Sequence, residues 1–229
     1  MAVLAVGLAG ALAGGGMLAY FSDVETAAGV FQVSNMDLAV DADWYDGGAE
    51  QNPWPTAVPL INPAETADIK PGHAGGTEIS LHAYCVAGSV YMRIFNTTSG
   101  ENTRIDPELE AGDPSDLTGE LADYLWLELW EDNGPDGEVG SGDPGEGDNI
   151  PQAGEAPIWS GYASQLGDCT IWQLPSILPH CQVYYLGLRW EFHSDNGSGT
   201  SVNTAQGDTF GCDIEFIATD PGDPAPTCP

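Results

Sequence analysis

Five stretches of this chain alternate apolar and polar residues with a period of two, and no long stretch repeats apolar residues at helical spacing. Ile79, Leu81, Ala83 and Cys85 alternate with Ser80, His82 and Tyr84, and after Gly88 a second run sets Val90, Met92 and Ile94 against Tyr91, Arg93 and Phe95. Leu125, Leu127 and Leu129 form a third apolar face, Leu186, Leu188, Trp190 and Phe192 a fourth, and Phe210, Cys212, Ile214 and Phe216 a fifth. A strand points successive side chains to opposite faces, so each run is a strand with one buried face. Several such strands between Gly, Pro and Asp loops predict an all-β fold, an antiparallel β-sandwich of jelly-roll form. Short helices are expected only over Gly119–Asp123 and Ile158–Leu166. The Gly-, Asp- and Glu-rich stretch from Glu131 to Gly154 reads as a long exposed loop.

Charge decides what such a sandwich can bind. Four Lys plus Arg stand against 35 Asp plus Glu, a net charge of −31, and Lys70 is the only lysine. Binding nucleic acid or anionic lipid requires basic residues that displace counterions, so neither is an expected partner. Hydrophobic residues still make up 42% of the chain, enough for a packed core. Molar salt shortens the Debye length to about 3 Å. The acidic surface therefore suits a protein that works in concentrated salt, its carboxylates serving hydration.

The first 21 residues carry no charged side chain. Their apolar run has the length of a signal-peptide h-region, and Gly14-Gly15-Gly16 breaks it, which disfavours a stable spanning helix. Small residues then precede Tyr20, placing cleavage at Ala19–Tyr20 or Tyr20–Phe21. A retained anchor is the competing reading. No basic residue precedes the apolar run, which allows a true start upstream of Met1. The expected organisation is a signal peptide over 1–20, a segment over 21–40, a domain over 41–219 and an extended tail over 220–229. The mature protein is expected outside the cell or on its surface, with no membrane contact after cleavage.

Export makes the cysteines readable as disulfides. Cys85 and Cys212 fall on the inward faces of their strands and are expected to bridge across the core. Cys169 and Cys181 flank a Pro-containing loop and are expected to close it. Cys228 is then unpaired or intermolecular, with Cys85–Cys228 as the next alternative. Asn96 and Asn196 head glycosylation sequons. Asp132, Asn133, Asp136 and Glu138 offer hard oxygen ligands in a turn and form a candidate calcium site. His73, His82, His180 and His193 are dispersed and lack the H-E-x-x-H spacing that sets two zinc ligands on one helical face. Neither a nucleophile elbow nor a phosphate-cradling glycine loop is present. No catalytic residue is assigned, and the chain is not expected to be an enzyme.

The order of segments resembles the TasA/camelysin family of exported fibre proteins, in its haloarchaeal form. The resemblance rests on Ala19-Tyr20-Phe21-Ser22-Asp23-Val24-Glu25, on Phe31 with Met36-Asp37-Leu38-Ala39-Val40, and on the Lys70-Pro71-Gly72 turn before a strand. It continues through Asp116-Leu117 with Gly119-Glu120-Leu121-Ala122, and through Asn203, Gln206, Gly207 and Asp208 before the last strand. The sequence departs from the family at Ala27-Ala28-Gly29-Val30-Phe31 and in the long insert near Glu138–Asp148. The resemblance implies a jelly-roll subunit that polymerises by donor-strand complementation, partnered by copies of itself within a cell-envelope or biofilm matrix. Residues 21–40 are then the candidate donor, with Val24, Val30, Phe31, Val33, Met36, Leu38 and Val40 as its apolar side chains. The alternative from another class is a monomeric adhesin or glycan-binding module presenting Trp126 and Trp130. Camelysin-type relatives add a metallopeptidase as a third reading.

Overall fold

The computed structural model describes residues 37–42, 66, 68–84, 87–101, 104–113 and 117–228. Eight strands form two antiparallel sheets. They are β1 (Asp37–Ala42), β2 (Ala74–Tyr84), β3 (Ser89–Gly100), β4 (Leu125–Glu131), β5 (Pro157–Tyr162), β6 (Thr170–Gln173), β7 (Val183–Phe192) and β8 (Thr209–Thr219). The larger sheet runs β1-β2-β7-β4-β5 and the smaller β6-β3-β8. The expected all-β sandwich is what the chain forms.

Alternation places the core where the sequence puts it. Ile79, Leu81, Leu129, Leu186 and Leu188 from one sheet meet Val90, Met92 and Ile94 from the other, all buried. Side chains from two inner faces interdigitate in this way in aligned sandwiches. Trp159 on β5 lies against Trp172 on β6, ring centroids 5.6 Å apart, and closes that side of the sandwich. The turn before β2 has Pro71 followed by Gly72 at φ +90°, with His73 N–H donating to Lys70 O at 2.8 Å. That is the type II geometry, which needs a positive φ at its third residue and so selects glycine.

A jelly roll sets β2-β7-β4-β5 against β1-β8-β3-β6, each sheet four strands wide. The larger sheet here contains the first of these orders intact. The smaller holds β8, β3 and β6, but β1 pairs with β2 instead, Val40 opposite Leu81. Among the described residues no strand lies along the outer edge of β8.

Several expectations change. Helix α1 (Asp106–Ala111) was not foreseen, although Pro sits in its first turn and Gly112 caps it at φ +84°. Helix α2 (Leu121–Tyr124) overlaps the expected 119–123 region and ends one residue beyond it. The stretch expected as a helix over 158–166 is instead β5 followed by a single 3-10 turn, Ala163–Gln165. β1 runs across the expected domain boundary at residue 40.

The expected Cys169–Cys181 disulfide is also replaced. Cys169 bonds Cys228, Cα atoms 5.9 Å apart, so Cys228 is neither unpaired nor intermolecular, and Cys181 is an exposed free thiol. The reason is topological: β6 and β7 lie in different sheets, so the chain from Cys169 to Cys181 crosses between layers rather than closing on itself. The C-terminal tail meanwhile passes the outer face of β3, where Arg93 Nη1 donates to Thr227 O at 3.2 Å, and reaches Cys169 beside β6. Cys212 carries a free thiol; its expected partner Cys85 lies outside the described residues.

Candidate functional site

The edge of β8 is built by alternation and by the place left beside it. All of its residues but Cys212 pair with β3, and among the described residues no strand pairs with its other side. Phe210, Cys212, Ile214 and Phe216 point toward the core, yet each is only partly buried, while Ala218 further along is fully covered. Burial pushes the Cys212 thiol up to about 11. A strand edge with unpaired N–H and C=O groups and half-covered apolar side chains is a template for another strand.

Of the seven candidate donor residues, Leu38 and Val40 pack on the core from β1 within their own sheet. Val24, Val30, Phe31, Val33 and Met36 lie outside the described residues, as do the cleavage positions Ala19, Tyr20 and Phe21. With β1 occupied in its own fold, the stretch left for a neighbour is residues 21–36.

At one end of the sandwich three carboxylates from distant parts of the chain meet. Glu101 follows β3, Glu120 precedes α2 and Asp208 precedes β8, with one oxygen of each within 4.8 Å of the others. Glu120 and Asp208 belong to two of the resembling motifs, and Glu120 N–H donates to Asp208 Oδ2 at 2.6 Å. Gly119 makes this approach feasible, because a Cβ there would stand 2.8 Å from Asp208 Cγ. Burial, with the charges of Asp113, Asp208, Glu101 and Asp123, pushes Glu120 up to about 7. Burial also raises Asp208, against the hydrogen bonds from the Glu120 and Leu121 N–H groups. A cleft of about 330 Å³ adjoins the group, lined by Thr97, Thr98, Ser99, Thr118, Glu120 and Phe210 among others. Sequence reading identified Glu120 and Asp208 as motif residues but gave no signal that they meet.

The stretch after β4, expected to be exposed, folds back over the outer face of the larger sheet. Asp132, Asn133 and Gly134 are buried, Gly147 lies against the Tyr185 ring, and Asn149 reaches Gly76. Trp130, which the adhesin alternative would present at the surface, is only 3% accessible. Of the candidate calcium ligands, Asp132 and Asn133 are interior, whereas Asp136 and Glu138 sit on an exposed turn where Asp136 Oδ1 accepts the Glu138 N–H at 2.9 Å. Burial pushes Asp132 up to about 7; the Asn149 N–H opposes this, and contact with the Glu155 carboxyl and the charge of Asp148 add to it. Glu131, at the end of β4, faces inward and accepts from the Tyr184 hydroxyl and from Ser176 N–H at 2.7 Å. Burial raises it, and the two Ser176 hydrogen bonds lower it.

The histidines stay apart. His82 meets Asp41 at 3.2 Å, His193 meets Tyr162 Oη at 3.1 Å, His73 Nδ1 accepts Lys70 N–H at 3.2 Å, and His180 lies beside Cys181. A histidine-based zinc centre needs two or three imidazoles converging on one point, and these four do not supply it. Asn96 is exposed and donates to Asp213 Oδ2 at 2.8 Å; Asn196 is half-buried and accepts from the Ser198 hydroxyl at 2.6 Å.

The family model described as Camelysin metallo-endopeptidase matches residues 1–46 of this chain. The match spans the apolar start, the candidate donor and β1, and at this coarse level it supports the TasA/camelysin family. No curated protein matches the chain. The residues present do not assemble a histidine metal set to go with the family description, and no reaction step is derived from it.

Proposed function

We propose that this chain is the subunit of an extracellular filament, in which residues 21–36 of one copy lie along the β8 edge of the next. The observation that carries this reading is the jelly-roll place beside β8, which no described strand of the chain fills. An added strand would satisfy the backbone of an eleven-residue edge and cover Phe210, Cys212, Ile214 and Phe216. The candidate donor carries Val24, Val30, Phe31, Val33 and Met36 as apolar side chains to seat there. A contact between the start of one chain and the last strand of another is head-to-tail, and it propagates instead of closing. Release of the signal peptide outside the cell would free the donor, and the acidic surface would keep the fibre hydrated in salt. The role is structural, with no catalytic residue assigned.

Cys212 supplies the test. With Cys85 and Cys181 replaced by serine, Val33→Cys or Phe31→Cys is expected to form a disulfide ladder through Cys212 when filaments are oxidised. Deleting residues 21–36 is expected to abolish filaments by electron microscopy. Filaments unchanged by the deletion, and no ladder with any donor cysteine, would refute the assignment.

A second reading has one observation in its favour. On the outer face of the larger sheet, half-buried Trp126 stacks parallel to His193 at 5.9 Å with Tyr162 edge-on at 5.2 Å. Such a platform suits a sugar ring. If the protein is a glycan-binding module, Trp126→Ala abolishes polysaccharide binding; on the filament reading it leaves assembly unchanged.

A further inference from the structure

The loop between β4 and β5 brings two carboxylates face to face. Asp132 and Glu155 come within hydrogen-bonding reach. Three backbone N–H groups pin the pair in place: Asn149 N–H donates to Asp132 Oδ2 at 2.6 Å, Gly134 N–H to Glu155 Oε1 at 3.1 Å, and Gln152 N–H to Glu155 Oε2 at 2.7 Å. Asp132 Oδ1 is left buried with no hydrogen-bond partner. Asn133 lies in the chain between Asp132 and Gly134, the two residues that touch Glu155. It is 0% exposed, and both of its side-chain polar atoms are buried without a partner. Asn149 Oδ1 is buried and unpartnered as well.

Buried polar groups are nearly always hydrogen-bonded in native proteins, and four unpartnered atoms gathered in one loop call for a water or an ion. No side-chain cation can supply it. All four Lys and Arg are engaged elsewhere: Lys70 with Asp68, Arg93 with Glu215, Arg104 with Asp113 and Arg189 with Glu128. Two carboxylates in contact therefore need either a shared proton or a cation from solution. The available donors are all oxygens, from carboxylate and amide, which selects a hard ion. They sit in an irregular loop bent at positive φ at Gly134, Gly137, Gly145, Gly147 and Gly154. Calcium accepts six to eight oxygens in flexible geometry, whereas magnesium demands a near-ideal octahedron.

We propose that this loop binds a calcium ion through the carboxylates of Asp132 and Glu155 and the amide oxygen of Asn133. The ion neutralises the facing carboxylates and fixes the loop over the outer face of the larger sheet, where Gly147 lies on the Tyr185 ring. The site is separate from the β8 edge and does not rest on the filament reading.

The experiment is thermal unfolding of the EDTA-stripped full chain in molar NaCl at about pH 8, with calcium titrated by calorimetry. Adding about 1 mM CaCl₂ is expected to raise the midpoint by about 5 °C, while the same concentration of MgCl₂ does far less. Asp132→Asn is expected to remove the response, and Glu155→Gln to weaken calcium affinity at least tenfold. Glu120→Gln, at the other carboxylate cluster, is expected to keep it. If Asp132→Asn does not fold, Glu155→Gln decides. Three outcomes overturn the proposal: no calcium response in the parent chain, as for a shared proton; an equal response to magnesium; or a response that survives Glu155→Gln and disappears with Glu120→Gln.

Discussion

Replacing Gly187 by alanine is expected to destabilise the fold by about 3 kcal/mol and to lower the thermal midpoint by about 10 °C. Gly187 lies in the middle of β7, directly opposite Trp130 on β4. Its φ is not in the left-handed region, so backbone strain plays no part. A methyl group there would fall inside the Trp130 ring, which lies flat across the glycine. Trp130 is buried on the outer face of the larger sheet, so its ring has little room to swing away. Strand propensity alone gives the opposite sign, because alanine is the better residue in an unstrained strand. The double variant Gly187→Ala with Trp130→Leu is expected to recover part of the loss, a coupling that only direct contact produces. Chemical denaturation of the four proteins checks this. A single variant within about 0.5 kcal/mol of the parent would mean that the ring relaxes freely. Gly75 on β2, opposite Trp190 on β7, shows the same pairing with a Cβ clearance of 2.8 Å.

That pairing marks where the sequence stops being readable. The inward residues of β2, β4, β7 and β8 follow from alternation, and the structure buries Ile79, Leu81, Leu129, Leu186 and Leu188 as alternation requires. Nothing in the run Leu186-Gly187-Leu188 tells that Trp130, far earlier in the chain, needs the glycine, because cross-strand register is a tertiary property. β5 was obscured for a related reason. Its inward positions are Trp159 and Gly161, Tyr162 faces outward, and Ile158 packs on the core at a register shift, so apolar and polar residues do not alternate. α1 did carry readable signals in Pro107, Glu108 and Gly112. Glu108 reaches back to the Ile105 N–H at 2.5 Å, as in a capping box. The acidic loop misled by composition: solvated carboxylates predominate there, but Asp132 and Asn133 are interior because the chain folds onto the sheet. The Cys169–Cys228 bond depends on the path of the tail, which local sequence does not specify. Glu120 and Asp208 were marked by resemblance, and only folding joins them across 88 residues.

The same buried carboxylates give the protein an inverted response to acid. In calcium-free buffer its stability is expected to rise as pH falls from about 8 to about 5, by several kcal/mol in all. Glu120, mainly through burial, and Asp132, also through burial, are pushed up to about 7, from 4.5 and 3.8 respectively. A carboxyl whose folded pKa lies above its unfolded value binds its proton more tightly in the native state. Its contribution is complete below the unfolded value and is lost as pH rises through about 7. A shift of this size at one partly solvated site is worth roughly 2–3 kcal/mol. Glu131 and Asp208 are raised too and act in the same direction. Loss of negative charge across an acidic surface also favours the compact state at lower pH, so the parent chain alone does not isolate the buried groups. The variants do. Glu120→Gln is expected to flatten the pH dependence by about one third, and Asp132→Asn by a similar share, whereas the exposed control Glu138→Gln leaves it unchanged. Adding calcium should remove the share that belongs to Asp132 and leave that of Glu120, because a bound ion holds the Asp132–Glu155 pair ionised. A midpoint that is highest near pH 8 and falls steadily toward pH 5, equally in all four proteins, would show that these carboxyls are solvated in the native state.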